Sequence, residues 1–461
     1  ANSANGTNLF IQSGGATSMV AGDTVDMATF TVTIDEALDM GSTALGAVIG
    51  TTGTLTLQST DTSANTAKLT TFITSGAGNL NILNEAAATS TFAVSASGNV
   101  TTVGGTVTVT ADTSTASATT LTILGVTVGG TGAEFVLDET GSGTAILDLD
   151  AASAQQTITG DINGVGEGEG HLKLQAGGTG NVITGAIGND KGIRLLDADV
   201  AATFSSTVKA TTIDLESDAT FSGNVTATTV TSNGSSKQVT LNGDITATTI
   251  TIDTASVDAN KDVTSNVVLA NAAGDLLISG AVDQTLTGTI TATDGEGSLI
   301  VSNAAATGSF TATGQLGITT ARLLEVTASD GSNAIFQSLM FAETLDINSN
   351  TAAEYVQVTA GNVIGTNGGT AGAVEIAEGA TIRLDSAVID GTTVFDLQTA
   401  GTADAAFASA GAFTVIPSSS FNTGTVEFIE GGTNSNILDD GGDDGTEVAN
   451  HFNVQDSAII D

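Results

Sequence analysis

The chain has 461 residues and a formal net charge of −41, from 9 Lys and Arg against 50 Asp and Glu. That balance argues against nucleic acid and anionic lipid as partners, since phosphate binding needs clustered cations, and it attracts divalent cations. Without Cys there are no disulfides or thiolate metal sites, no apolar run approaches the ~18 residues of a membrane helix, and one Tyr with no Trp cannot build the aromatic girdles of an outer-membrane barrel.

The first residues, "ANSANG", carry neither an initiator Met nor a basic, apolar leader. They read as the start of a processed, secreted chain from which a signal peptide has been removed. Residues 1–64 have irregular spacing and are expected to form an N-terminal cap or assembly segment.

From residue 65 onward the pattern is that of strands. Apolar residues alternate with Thr and Ser in "TVTVT" (Thr106–Thr110), "TLTILGVTV" (Thr120–Val128) and "TTITID" (Thr248–Asp253). Alternation with period two marks a strand, and branching at Cβ favours the pleated sheet. Helix formers are sparse and 57 Gly punctuate the runs.

Repeats choose among β architectures. Val208, Val225 and Ile245 hold equivalent places in "TVKATT", "NVTATT" and "DITATT", at nearly even steps along the chain. The step from Val225 to Ile245 returns between Ile290 in "TGTITAT" and Phe310 in "TGSFTAT", and between Thr159-Gly160 and Thr179-Gly180. A longer repeat overlies these: "QTITG" from Gln156 recurs as "QTLTG" from Gln284, and "RLL" from Arg194 recurs from Arg322, both at the same offset. Between them, "GEGHLKL" from Gly168 answers "GEGSLIV" from Gly295 one residue out of step, and "GAGNLNIL" from Gly76 is a third relative. The fold expected is all-β, an elongated parallel β-helix (β-solenoid), right-handed, with about 20 residues per coil over 65–400. Stacked coils set equivalent side chains about 4.8 Å apart, which suits small and branched residues and disfavours Pro, present only as Pro417.

The run "GHLKLQAGGTGNVITGAIG" from Gly170, followed by "RLLDADVAATFSSTVKATTIDL" from Arg194, resembles the repeats of secreted bacterial β-solenoid surface proteins. These comprise autotransporter passengers, filamentous-haemagglutinin-like adhesins and surface-layer proteins such as rickettsial outer membrane protein B. The resemblance is clear over about 157–252 and weaker elsewhere, and the last residues read as an acidic end region rather than as a translocating barrel. It implies a repeat geometry and an extracellular, cell-surface setting rather than an activity.

Few residues offer chemistry. His171 in "HLKL" and His451 in "NHFNV" are the only histidines, and each reads as a surface or rung-packed side chain. Arg194, Arg322 and Arg383 open the similar runs "RLLDA", "RLLEV" and "RLDSA". They are expected to pair with carboxylates one coil away, the competing reading being an acidic patch on a neighbouring subunit. Residues 401–461 lose the repeat and form a C-terminal end region. Within it, "DDGGDDGTE" gathers Asp439, Asp440, Asp443, Asp444 and Glu447 among Gly bends, a candidate Ca2+ site of hard oxygen ligands, though without EF-hand or nonapeptide β-roll spacing.

The expected function is that of a structural extracellular protein, without catalysis, that self-assembles into a filament, sheath or surface layer through rod-to-rod contacts, assisted by calcium. An adhesin contacting cell-surface glycans or neighbouring cells is the alternative, and a polysaccharide-acting enzyme on the same scaffold a remote third. The lack of aromatics for a sugar-binding groove weighs against the last.

Overall fold

The computed structural model describes residues 52–359, apart from breaks at 60–63, 86–88, 114–116, 152–153, 178–179, 303–307, 330 and 349–354; outside that range it describes strand backbone alone. The strands are parallel and stack as a β-solenoid of about 11 turns, about 24 residues apart, with no helices among the described residues. Two units are distinguished, Ala1–Val230 and Thr231–Asp461.

In the first unit three columns of strands form the walls of the coil. One column runs Gly53–Ser59, Gly78–Asn84, Thr106–Thr113, Thr127–Gly141 and Thr157–Gly164, in register through Leu80, Val107 and Phe135. The second runs Asn65–Leu69, Thr91–Ala96, Ala118–Ile123, Thr144–Ala151, His171–Gly177, Ile193–Ala198 and Val208–Leu215. The third is short and stacks Phe72, Val100, Val128, Ile158, Ile183, Phe204 and Phe221. Alternation in the sequence becomes alternation of burial: in Gly78–Asn84 every second residue is buried. Inward Leu, Ile, Val and Phe are almost wholly covered, each stabilising the fold by about 1.5–3 kcal/mol. Phe204 and Phe221 stack with ring centroids 4.6 Å apart.

The second unit repeats the plan. Its first column links Gln238–Leu241, Ser256–Ala259, Asp275–Ile278, Glu296–Val301, Leu323–Ala328 and Met340–Ile347. Its second begins at Ile245–Ile252 and Val263–Leu269, then passes through Gln284–Thr287, Ser309–Ala312, Asn333–Phe336 and Val356–Val358.

Coil length varies, which explains why several short sequence repeats do not mark neighbours in space. Val128 stacks on Ile158 and Phe204 on Phe221, and the second step along the chain is much the shorter. The coil shortens because Val208–Leu215 serves two columns at once, Val208 bridging Ile187 while Ile213 pairs with Leu196. Ile290 and Phe310, which hold equivalent places in the sequence repeat, are not stacked; Phe310 pairs with Gln284 and Ile290 bridges Leu316.

The long duplication is real in three dimensions. Gln156 and Gln284 are both buried and hold their corners alike. Gln156 donates from Nε2 to the carbonyls of Ile123 and Gly125 and accepts from the Ala151 N–H. Gln284 donates to those of Ala259 and Lys261 and accepts from the Gly280 N–H. Corners elsewhere use Asn and Asp to take up a backbone N–H of the next coil, as Asn99 does for Thr127, Asp161 for Ala186, Asp262 for Thr285 and Asn333 for Tyr355. Part of the acidity is therefore structural, satisfying donors that the ladder leaves open at bends.

Candidate functional site: a charged column on the first unit

Four successive strands of the first unit spell apolar, charged, apolar: Leu147-Asp148-Leu149, Leu172-Lys173-Leu174, Leu196-Asp197-Ala198 and Ile213-Asp214-Leu215. The flanking residues point into the core, so the middle residue of each triplet points outward. Register then brings the middle residues into one line. Asp148 pairs with Lys173, Lys173 with Asp197 and Asp197 with Asp214. Two residues earlier on the same outward side, His171 pairs with Leu195.

The column is partly sheltered. Asp148 is only 8% exposed, and the side chains of His171 and Asp197 are 14% and 20% exposed. Thr122 donates to Asp148 Oδ2 at 3.1 Å, while Asp148 Oδ1 is buried and makes no hydrogen bond. Asp214 Oδ1 and His171 Nε2 are likewise buried without a hydrogen bond, Nε2 lying 3.5 Å from Asp197 Oδ2. Burial, then the neighbouring Asp199 carboxylate, pushes Asp197 up to about 6. Burial and Asp199 also raise Asp214, and burial raises Asp148 against the opposing hydrogen bond from Thr122. His171 is pushed down to about 4, by burial first and then by the charges of Arg194 and Lys173. Chemically the face binds protons where an exposed aspartate would not, and its histidine stays neutral at physiological pH.

The sequence singled out His171 but not the column around it. Its signal was the recurring triplet, obscured by uneven spacing between copies.

A second feature of the same unit is a shallow groove of about 500 Å³ lined by Gly130, Gly132, Gly160, Gly185 and the polar side chains of Glu134, Asp161, Asn163 and Asp190. Its floor is flat because the backbones touch: a Cβ on Gly185 would lie 1.8 Å from the Gly160 carbonyl oxygen. Asn163 bridges the wall, donating to Glu134 Oε1 and accepting from the Asp190 N–H.

The arginines pair within the chain. Arg194 forms a two-pronged contact with Glu139, both distances 3.0 Å. Arg322 is buried, with Nε 3.4 Å from Asp294 and Nη2 2.6 Å from Glu343. Although both open an "RLL" motif, their registers differ by two residues: the Arg194 N–H donates to the Gly170 carbonyl, whereas the Arg322 carbonyl accepts from Gly295, the counterpart of Gly168. That shift moves the same residue from a half-exposed to an enclosed position.

The side chains of Arg383 and His451 and all of Asp439, Asp440, Asp443, Asp444 and Glu447 lie outside the described residues. Among the described residues no group of three or more His, Asp or Glu is arranged to hold a metal ion, and no helix is long and apolar enough to cross a membrane. No family model, curated protein or solved structure matches the chain.

Proposed function

We propose that the chain is a structural extracellular surface protein that self-assembles into a filament, sheath or surface layer, and that it performs no catalysis. The observation that carries this reading is the use of the chain: coil after coil, inward positions are filled by small and branched residues, and outward ones satisfy neighbouring coils. Such a scaffold is stabilised by nearest-neighbour stacking and suits mechanical service. Exposed apolar side chains, Val103, Val126 and Val165 at bends of the first unit and Val282, Ile318 and the strand residue Leu324 in the second, supply points for contact between copies. Calcium bound by Asp439, Asp440, Asp443, Asp444 and Glu447 is proposed to assist assembly by offsetting part of the net charge of −41.

The groove lined by Glu134, Asp161 and Asp190 is the observation that favours the alternative, an adhesin contacting cell-surface glycans. Electron microscopy and sedimentation of the full chain, with calcium and with a chelator, separate the readings. Ordered filaments or sheets with a regular repeat are expected, diminished by chelation. A protein that stays monomeric in both conditions contradicts assembly, and glycan binding by that monomer points to the adhesin.

A further inference from the structure

The column on the first unit is not a requirement of the fold. In the duplicated block of the second unit, the register line through the counterpart of Lys173 reads Leu277, Ile300, Thr327 and Asp346. Those coils stack equally well with one charge on that line, whereas the first unit sets four there.

Around the column the charged and titratable groups are many and unbalanced. Thr144–Ala151 contributes Asp148 and Asp150, and His171–Gly177 contributes His171 and Lys173. Ile193–Ala198 and the residue after it contribute Arg194, Asp197 and Asp199, and Val208–Leu215 contributes Asp214. Glu139 reaches in from Thr127–Gly141 and is held by Arg194, while Thr122 reaches Asp148 from Ala118–Ile123. Residues 225–230 carry no titratable group. With Glu139 and Arg194 paired, five aspartates face one lysine and one histidine. Asp197 and Asp214, in direct register, confront each other as like charges, which destabilises a sheet pair.

We propose that this face is a proton-responsive clasp: as the pH falls from neutral to mildly acidic, protons taken up along Asp197, Asp214 and Asp148 relieve the repulsion and tighten the strands from Thr144–Ala151 to Val208–Leu215. A protonated carboxyl gains an O–H donor, and the unpartnered atoms Asp148 Oδ1, Asp214 Oδ1 and His171 Nε2 are acceptors or donors awaiting such a change. Asp197, pushed up to about 6, places its part of the change in the mildly acidic range, and burial raises Asp214 and Asp148 in the same direction. Proton uptake by these aspartates would thus stiffen a stretch of the solenoid without any bound ligand, opposed by the neutral, buried His171 as the pH falls below 6.5. The device is a property of the single chain and stands apart from the assembly reading.

Carbon-13 NMR of the aspartate carboxyls in the full chain, with amide hydrogen exchange, tests it. Asp197 is expected to titrate with a midpoint of about 6. In a His171→Gln chain, which removes the opposing imidazole, and after correction for intrinsic rates, amides of Ile193–Ala198 and Val208–Leu215 are expected to exchange at least roughly threefold more slowly at about pH 5.5 than at about pH 7.5. Adding Asp197→Asn to that chain should give the slow exchange at both pH values. An Asp197 midpoint near the ordinary 3.8, or exchange in these strands of the His171→Gln chain that is the same at both pH values, overturns the proposal.

Discussion

Asp197 lies in direct register with Asp214 on the neighbouring strand, two carboxylates outward on one face with His171 Nε2 3.5 Å from the first of them. Two opposing dependences on pH follow. Asp197 binds protons more tightly folded than unfolded, so its burden on stability at neutral pH is relieved as the pH falls through about 6 towards 3.8. His171 binds them less tightly folded, so its penalty grows as the pH falls from 6.5 to about 4. His171→Gln should therefore gain melting temperature over the native chain at about pH 5 relative to about pH 7.5, and the gain from Asp197→Asn should change the other way. Thermal melts of both variants at the two pH values decide this; changes of the same sign would contradict the assignment.

The paired corner glutamines make a quantitative prediction. Replacing Gln284 by Leu removes the partner of the Lys261 carbonyl and the Gly280 N–H, while the Ala259 carbonyl keeps the Ser279 N–H, and each unsatisfied buried group costs about 1–3 kcal/mol. A loss of about 2–4 kcal/mol is expected, and Gln156→Leu should lose a similar amount, read from urea unfolding monitored at each unit.

Backbone contact between coils is tested by Gly185→Ala and Gly314→Ala. Each new methyl would lie 1.8 Å from a carbonyl oxygen, of Gly160 and Gly288 respectively, so the coils must separate. We expect a loss of about 3 kcal/mol or more for either. Gly104→Ala is the control: its φ of 66° strains an alanine, yet nothing lies within 4 Å, and about 1 kcal/mol is expected. Equal effects at all three sites would contradict the close approach.

The two arginines should differ. Arg322 is 4% exposed, but its partners Asp294 and Glu343 are 39% and 38% exposed and regain water when it is removed, so Arg322→Ala is expected to cost about 1–2 kcal/mol, chiefly lost packing of the buried stem. Arg194 is 41% exposed but Glu139 only 8%, so Arg194→Ala leaves a buried carboxylate without its cation and should cost about 3–5 kcal/mol. Chemical unfolding of the two alanine variants measures the contrast.

What the sequence revealed, and what it hid, can be followed along the same residues. Alternation in "TVTVT" was enough for the strand Thr106–Thr113, because period two needs no distant partner. Gln156 and Gln284 were visible as a long repeat because whole coils were copied, with their corner contacts. Register was not legible from short motifs. "TGTITAT" and "TGSFTAT" look like successive rungs, yet their strands Ile290–Ala292 and Ser309–Ala312 pair with different strands, since coil length is set by loops and merged strands. The charged column escaped for the same reason: Asp148, Lys173, Asp197 and Asp214 are unevenly spaced along the chain, and only the register makes them one line.

In-register parallel stacking is the claim beneath all of this, and a cysteine pair tests it directly because the chain has no Cys of its own. Thr203 and Thr220 are direct partners in adjacent strands, at a separation that a disulfide spans, and both flank the stacked rings of Phe204 and Phe221. With Thr203→Cys and Thr220→Cys, mild oxidation should link the two sites nearly completely within one chain, as read by mass spectrometry. The pair Thr203→Cys with Thr212→Cys, whose sites lie in different columns, should remain largely unlinked. Linkage of the second pair as fast as the first would contradict the stacking.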